Sequence, residues 1–249
     1  MEAMSQMLLD IDVKQYGPWI VTHRGDKDCA ALADRHYTRQ THGSPQFCRP
    51  GPALILRTAA GDALWTTWRG FRKDGLDAYE CTIFRNESEY QSSDLIRWAV
   101  IATLCEWGDH LPKDGIITYV DEGKVINRNP GFCYLQAGFR KIGRSKSRNL
   151  LLLQLMPDRL AIIKHEYWLI EYLKTTVKQL QLALDSGEYM EAPWFFREAR
   201  SVQEQIRTMR DIRKTMKRKL WTAYELELEE EDLLEIISPE EGHLEDFLY

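Results

Sequence analysis

Asp121 directly follows the apolar run Gly115-Ile-Ile-Thr-Tyr-Val120. A carboxylate at the carboxyl end of a buried strand stands where open α/β sheets place their ligands, and it could take a proton from an attacking amine or orient a base. It could equally cap the turn Asp121-Glu-Gly123. Arg85 leaves a second strand-like run, Ala78 to Phe84. There a guanidinium could neutralise a phosphate or polarise a carbonyl, with a surface ion pair as the plainer alternative. Ser92 and Ser93 open a strongly apolar stretch. Their hydroxyls and the helix N-terminus could hold an anion or an ester, although capping alone would explain Ser92. Arg140, Lys141, Arg144, Lys146 and Arg148 crowd one hairpin, and Arg69, Arg72 and Lys73 another loop. Such groups suit phosphate contacts, which bring affinity without sequence choice, and a solvated basic face is the rival account. Tyr37, Trp65 and Trp68 could stack on an extruded base or simply fill the core. His36 and His42 near Cys48 fit no standard ligand spacing, so no metal centre is expected.

These side chains need a framework. Trp19-Ile-Val-Thr-His23 reads as a strand, and Asp26 can cap a helix running to about Tyr37. Arg39 to Pro52 is then a long loop, of the kind that is often functional when ordered. Ala53-Leu-Ile-Leu-Arg57 and Ala63 to Trp68 form a hairpin around Gly61. Tyr79, Cys81 and Ile83 alternate along the next strand. The pair Ser92-Ser93 opens a strongly apolar helix, Leu95 to Trp107, that ends at Gly108. After the strand ending at Val120, Asn129-Pro130 starts a short helix that ends at Gly138. Arg140–Gly143 and Asn149–Met156 are the last strands, giving the order β-α-β-β-β-α-β-α-β-β. Beyond Pro157 the pattern is helical, from Asp158 to about Ser186 and from Pro193 to about Tyr224, with a break at Asp185-Ser186-Gly187 that predicts an antiparallel pair. The first carries an apolar stripe, Leu160 to Leu184, in steps of three and four, which must pack on something.

The chain thus divides into an α/β domain over residues 1–156, a helical hairpin extension over 157–224 and an acidic tail over 225–249. The tail holds eleven Asp and Glu and no Lys or Arg, so the net charge of -5 conceals a basic body. That arrangement is compatible with a polyanionic partner and a tail that competes with it. The basic run Arg207, Arg210, Arg213, Lys214 and Lys217 to Lys219 could bind nucleic acid or pair with the tail. Five widely spaced cysteines without a C-x-x-C pair predict buried thiols rather than disulfides or zinc. No secretory start and no long apolar run occur, so a cytoplasmic protein without membrane contact is expected.

The piece Ile117 to Asp121 followed by Asn129-Pro-Gly-Phe-Cys-Tyr134 and Gly138-Phe139 resembles the second half of GNAT acyltransferases. With Val120-Asp121, with His36-Tyr37 ahead of the Pro-Gly-led hairpin, and with Arg85-Asn86 before the apolar helix, it is similar to the Mom family of bacteriophage DNA-modification proteins. That resemblance implies a GNAT-like mixed sheet whose central strands splay apart around the donor. It implies Tyr134 as the acid for the leaving group, a phenol near its ordinary pKa, with Asp121, Arg85, Ser93, His36 and Tyr37 in support. Ser92, Asn127 and Asn129 would contact the donor, and Arg140, Arg144, Lys146, Arg148, Arg69 and Arg72 would contact nucleic acid. The expected function is transfer of an acyl or aminoacyl group to an amine, foremost the exocyclic amine of a DNA base. The alternatives are a protein or small-molecule acceptor, or a binding module without catalysis. The coenzyme A pyrophosphate loop of the superfamily is absent: Arg85 to Ser93 has no glycine and two glutamates. The donor therefore stays open between acetyl-coenzyme A, an aminoacyl-tRNA and other activated carbonyls. Dimer or partner contacts would use the C-terminal helices.

Overall fold

The computed structural model describes residues 13–124, 129–186 and 192–215. Its elements are β1 (Gln15–Tyr16), β2 (Trp19–Thr22), α1 (Lys27–Asp34), β3 (Ala53–Thr58), β4 (Ala63–Trp68), β5 (Tyr79–Asn86), α2 (Ser92–Trp107), β6 (Ile116–Val120), α3 (Phe132–Gln136), β7 (Arg140–Arg144), β8 (Leu151–Leu155), α4 (Pro157–Ser186) and α5 (Ala192–Thr215). The strands form one mixed sheet in the order β1-β2-β3-β4-β5-β6-β8-β7. All neighbours are antiparallel except β5 and β6. The fold is thus mixed α/β, with the short β1 added to the expected order.

Alternation along the strands splits the core between the faces of the sheet. Leu54, Leu56, Ala63 and Trp65 join α2, α4 and α5 in the larger cluster. Ile55, Leu64 and Ile83 face the other way, onto α1 and onto Phe47 and Cys48 of the long loop. That loop is held in place. Arg39, whose side chain is almost wholly buried, binds Asp34 and donates to the carbonyls of Ser44 and Gln46, and Trp68 Nε1 donates to Pro50 O at 2.8 Å.

Three boundaries differ from expectation for local reasons. α1 stops at Asp34, because Thr38 N–H donates to His36 Nδ1 (3.3 Å) in a turn that competes with the helix. Gln91, not Ser92, is the N-cap of α2. α3 begins at Phe132 rather than at Asn129-Pro130: Phe132 N–H donates to Asn129 O (3.1 Å) across Pro130-Gly131, with Gly131 at φ +77°. Proline followed by a glycine at positive φ is the signature of a type II turn, and here that turn displaces a helical first turn.

β5 and β6 are paired only at Tyr79–Ile116, Glu80–Ile117 and Cys81–Thr118. Past Cys81, β5 continues against β4 as far as Asn86, while β6 continues against β8. An irregularity at Thr66/Thr67 of β4 leaves Thr82 without a partner in the β4 register, next to the point of divergence. α4 packs on α2 and α5. The predicted stripe residues Leu160, Ile163, Ile170, Leu173, Val177 and Leu180 are buried. Among the described residues no helix is long and apolar enough to cross a membrane.

Candidate functional site

Two adjoining spaces lie at the gap between β5 and β6. One is a cavity of about 150 Å³ lined by His36, Phe84, Thr118, Cys133 and Tyr134. The other is a cleft of about 700 Å³ bounded by the long loop, with Arg49, Glu80, Asp121, Lys124 and Arg148 among its walls. Tyr37, Thr38, Cys81, Thr82 and Tyr119 line both. Those shared residues mark where the two spaces adjoin, at the divergence of the strands.

Tyr134 reaches the smaller cavity from α3. Its residue is 7% exposed, its ring meets Phe84 and Phe139 edge to face, and its hydroxyl lies 3.5 Å from Cys81 Sγ. Burial, then the neighbouring thiols of Cys81 and Cys133, push the phenol well above its ordinary value. The expectation of a phenol near its free pKa is therefore wrong. A phenol held neutral can donate a hydrogen bond to developing negative charge more readily than it can give up its proton outright. Burial likewise pushes the Cys81 thiol up to about 12, which keeps it from acting as a ready thiolate.

Tyr37 and Asp121 meet on the wall of the cleft. Asp121 N–H donates to Tyr37 Oη at 3.4 Å, and Asp121 Oδ1 accepts from Gly123 N–H at 3.1 Å. The capping alternative and the cleft position thus hold together. His36 stacks on Tyr37 with ring centroids 4.4 Å apart. Burial first, and the charge of Arg85 second, push the imidazole down to about 4, so it is neutral near pH 7.

Several expected residues stand elsewhere. Arg85 lines neither space: its Nε donates to Glu87 Oε1 and its Nη1 to Arg35 O, each at 2.5 Å. Glu87 also receives both ends of the Arg35 fork, and Arg35 and Arg85 pull its carboxyl down to about 2. The anion that Arg85 neutralises is thus a glutamate of this chain. Ser92 Oγ accepts from Asn86 Nδ2 at 3.0 Å, and Ser92 and Ser93 both lie outside the two cavities. Asn129 belongs to the turn before α3, and Asn127 lies outside the described residues. Trp65 is fully buried, so of Tyr37, Trp65 and Trp68 only Tyr37 faces the gap.

The expected phosphate-binding residues divide. Arg148 lines the cleft, and Lys146 is exposed on the same turn. Arg69 is exposed, Arg140 is half-buried on β7, and Arg144 pairs with Glu122. Arg72 is a correction: its side chain is 6% exposed, bound to Asp74, to Glu80 and, at 3.2 Å, to Tyr119 Oη. A guanidinium so enclosed is a structural tie, not a phosphate contact. Glu80, buried on β5, accepts from both Arg72 and Arg49. The residues that sequence reasoning missed are Glu80, Arg49, Tyr119, Lys124, Cys81 and Thr82. A charged Glu80 inside an apolar strand was a visible signal; Arg49 enters from the loop and gave none. Comparison with known proteins finds no family model, no curated relative and no solved structure that matches the chain.

Proposed function

We propose that the protein is a transferase that moves an acyl or aminoacyl-type group onto an amine, and that the amine is the exocyclic nitrogen of a base in DNA. The observation that carries this reading is the divergence of β5 and β6 past Cys81, where the smaller cavity and the larger cleft adjoin. An activated carbonyl in one space and an amine in the other can meet there, which is the positioning that group transfer needs. The smaller cavity, with the neutral Tyr134 phenol in its wall, suits the reacting end of the donor. The larger cleft, with Lys124 and Arg148 on its walls and Tyr37 at its throat, suits an acceptor that carries phosphate and an aromatic ring. The resemblance of Asn129 to Phe139 to the GNAT superfamily, and to Mom-like proteins within it, points the same way.

The donor loop argues against a nucleotide diphosphate handle. Glu87 occupies both nearby guanidinium groups, so an activated donor without a pyrophosphate is the better fit. A second reading, transfer to a free cationic amine, is favoured by the carboxylate of Asp121 in the cleft. Mass spectrometry of nucleosides from cells expressing the protein with its donor pathway intact separates the two. A new modified nucleoside supports the first; unmodified DNA beside an acylated small amine or protein supports the second.

A further inference from the structure

Phe71 is 90% exposed, the highest value of any large apolar side chain among the described residues. It sits on the turn between β4 and β5, and its neighbours on both sides are fixed. Gly70 lies so close against the Trp68 ring that a Cβ there would overlap it. Trp68 is itself held by Pro50 O and covered by the Arg49 guanidinium, 5.4 Å from its ring centre. On the other side Arg72 is buried against Asp74, Glu80 and Tyr119. Glu80, Tyr119 and Arg49 are walls of the 700 Å³ cleft. The turn therefore projects an aromatic ring from a rigid base tied to the lip of the candidate acceptor site. Arg69 and Lys73, both exposed, stand two residues to either side of Phe71. Lys124 and Arg148 stand on the cleft wall, and among the described residues neither is in an ion pair.

We propose that Phe71 is a wedge that enters the stack of duplex DNA and fills the space left when the acceptor base turns out into the cleft. The inference rests on the reading that the acceptor is a base in DNA. A base inside a duplex cannot reach a gap between strands, so it must be extruded at the cost of its stacking. Proteins that distort a duplex insert apolar side chains between base steps, and an aromatic ring placed where a base has left regains stacking with the neighbouring bases. An aromatic ring in water, held by its backbone and bracketed by cations that suit the flanking phosphates, meets the requirement.

The test uses the full chain and duplexes with 2-aminopurine at one central position and randomised flanks, because 2-aminopurine brightens when it leaves the stack. The wild-type protein is expected to raise the fluorescence at saturation. Phe71→Ala is expected to saturate the duplex with about tenfold weaker affinity and with most of the rise lost, while binding the corresponding single strand as the wild type does. Phe71→Trp is expected to restore the rise. Equal fluorescence from Phe71→Ala and wild type would overturn the wedge and leave the transferase reading standing. So would equal weakening on duplex and single strand. A wild-type protein that binds no DNA at low salt would overturn both.

Discussion

The Tyr134 hydroxyl decides what kind of help the site can give. Because burial holds the phenol neutral, its contribution persists into alkaline solution, and no loss of rate from its ionisation is expected below pH 10. Tyr134→Phe removes a hydrogen-bond donor and little volume. The turnover rate should fall by roughly 10²-fold with the melting temperature nearly unchanged, as parallel rate and thermal measurements would show. A variant as active as the wild type would remove Tyr134 from the chemistry. His36 makes a second prediction, about stability. Its pKa is near 4 in the folded chain and near 6.5 in an unfolded one, so the unfolded chain binds more protons between those values. Its contribution is complete above pH 6.5 and is lost as pH falls towards 4, at up to about 1.4 kcal/mol per pH unit. Glu87, depressed from 4.5 to about 2, loses its contribution in a lower window and does not confuse the first. Urea midpoints measured between pH 7 and 4.5 should fall for the wild type and stay flatter for His36→Gln.

At the scale of elements, α3 is the piece whose placement aims Tyr134, and Gly131 is what lets it start there. Its φ of +77° closes the turn, and a Cβ would come within 2.7 Å of Leu153 Cδ1, a side chain with no exposure. Gly131→Ala should therefore cost ~1–3 kcal/mol and, unlike Tyr134→Phe, lower activity and melting temperature together. Unchanged thermal stability would show that the turn is not under this constraint. This element also marks the limit of what could be read beforehand. Alternation in Leu54–Leu56 and Ala63–Trp65 and the apolar run of α2 made the sheet and its main helix legible, because burial imposes those periods whatever else is present. Tyr134, Tyr37, Asp121 and Arg148 could be picked out by type and flanking motif, and the fold brings them to one gap. Arg72 and Arg85 could not be sorted from free cations. What consumes their charge is Glu80 and Glu87, and the first of those pairings depends on how a turn folds back onto β5.

For the molecule as a whole, the cleft and the helices beyond residue 156 share one framework. Arg159 donates to Gly138 O at 2.6 Å, at the end of α3, and the main apolar cluster runs without a break from the sheet through α2 into α4 and α5. The cations on the cleft wall thus belong to a body that is net basic, while the last twenty-five residues carry eleven acids and no Lys or Arg. If a polyanion and the tail compete for the same charges, removing the tail strengthens the approach. A chain ending at residue 224 should bind duplex DNA several-fold more tightly than the full chain at about 50 mM salt. The advantage should shrink as salt rises towards 200 mM, where the Debye length no longer spans the separation of exposed charges. Within the shortened chain, Lys124→Ala and Arg148→Ala should each reduce the slope of log affinity against log salt by about 1, because each removes one phosphate contact. Titrations across that salt range read both effects. An unaltered slope in both substitutions would place the DNA on another surface, away from the gap between β5 and β6, and would turn the search for an acceptor towards free amines.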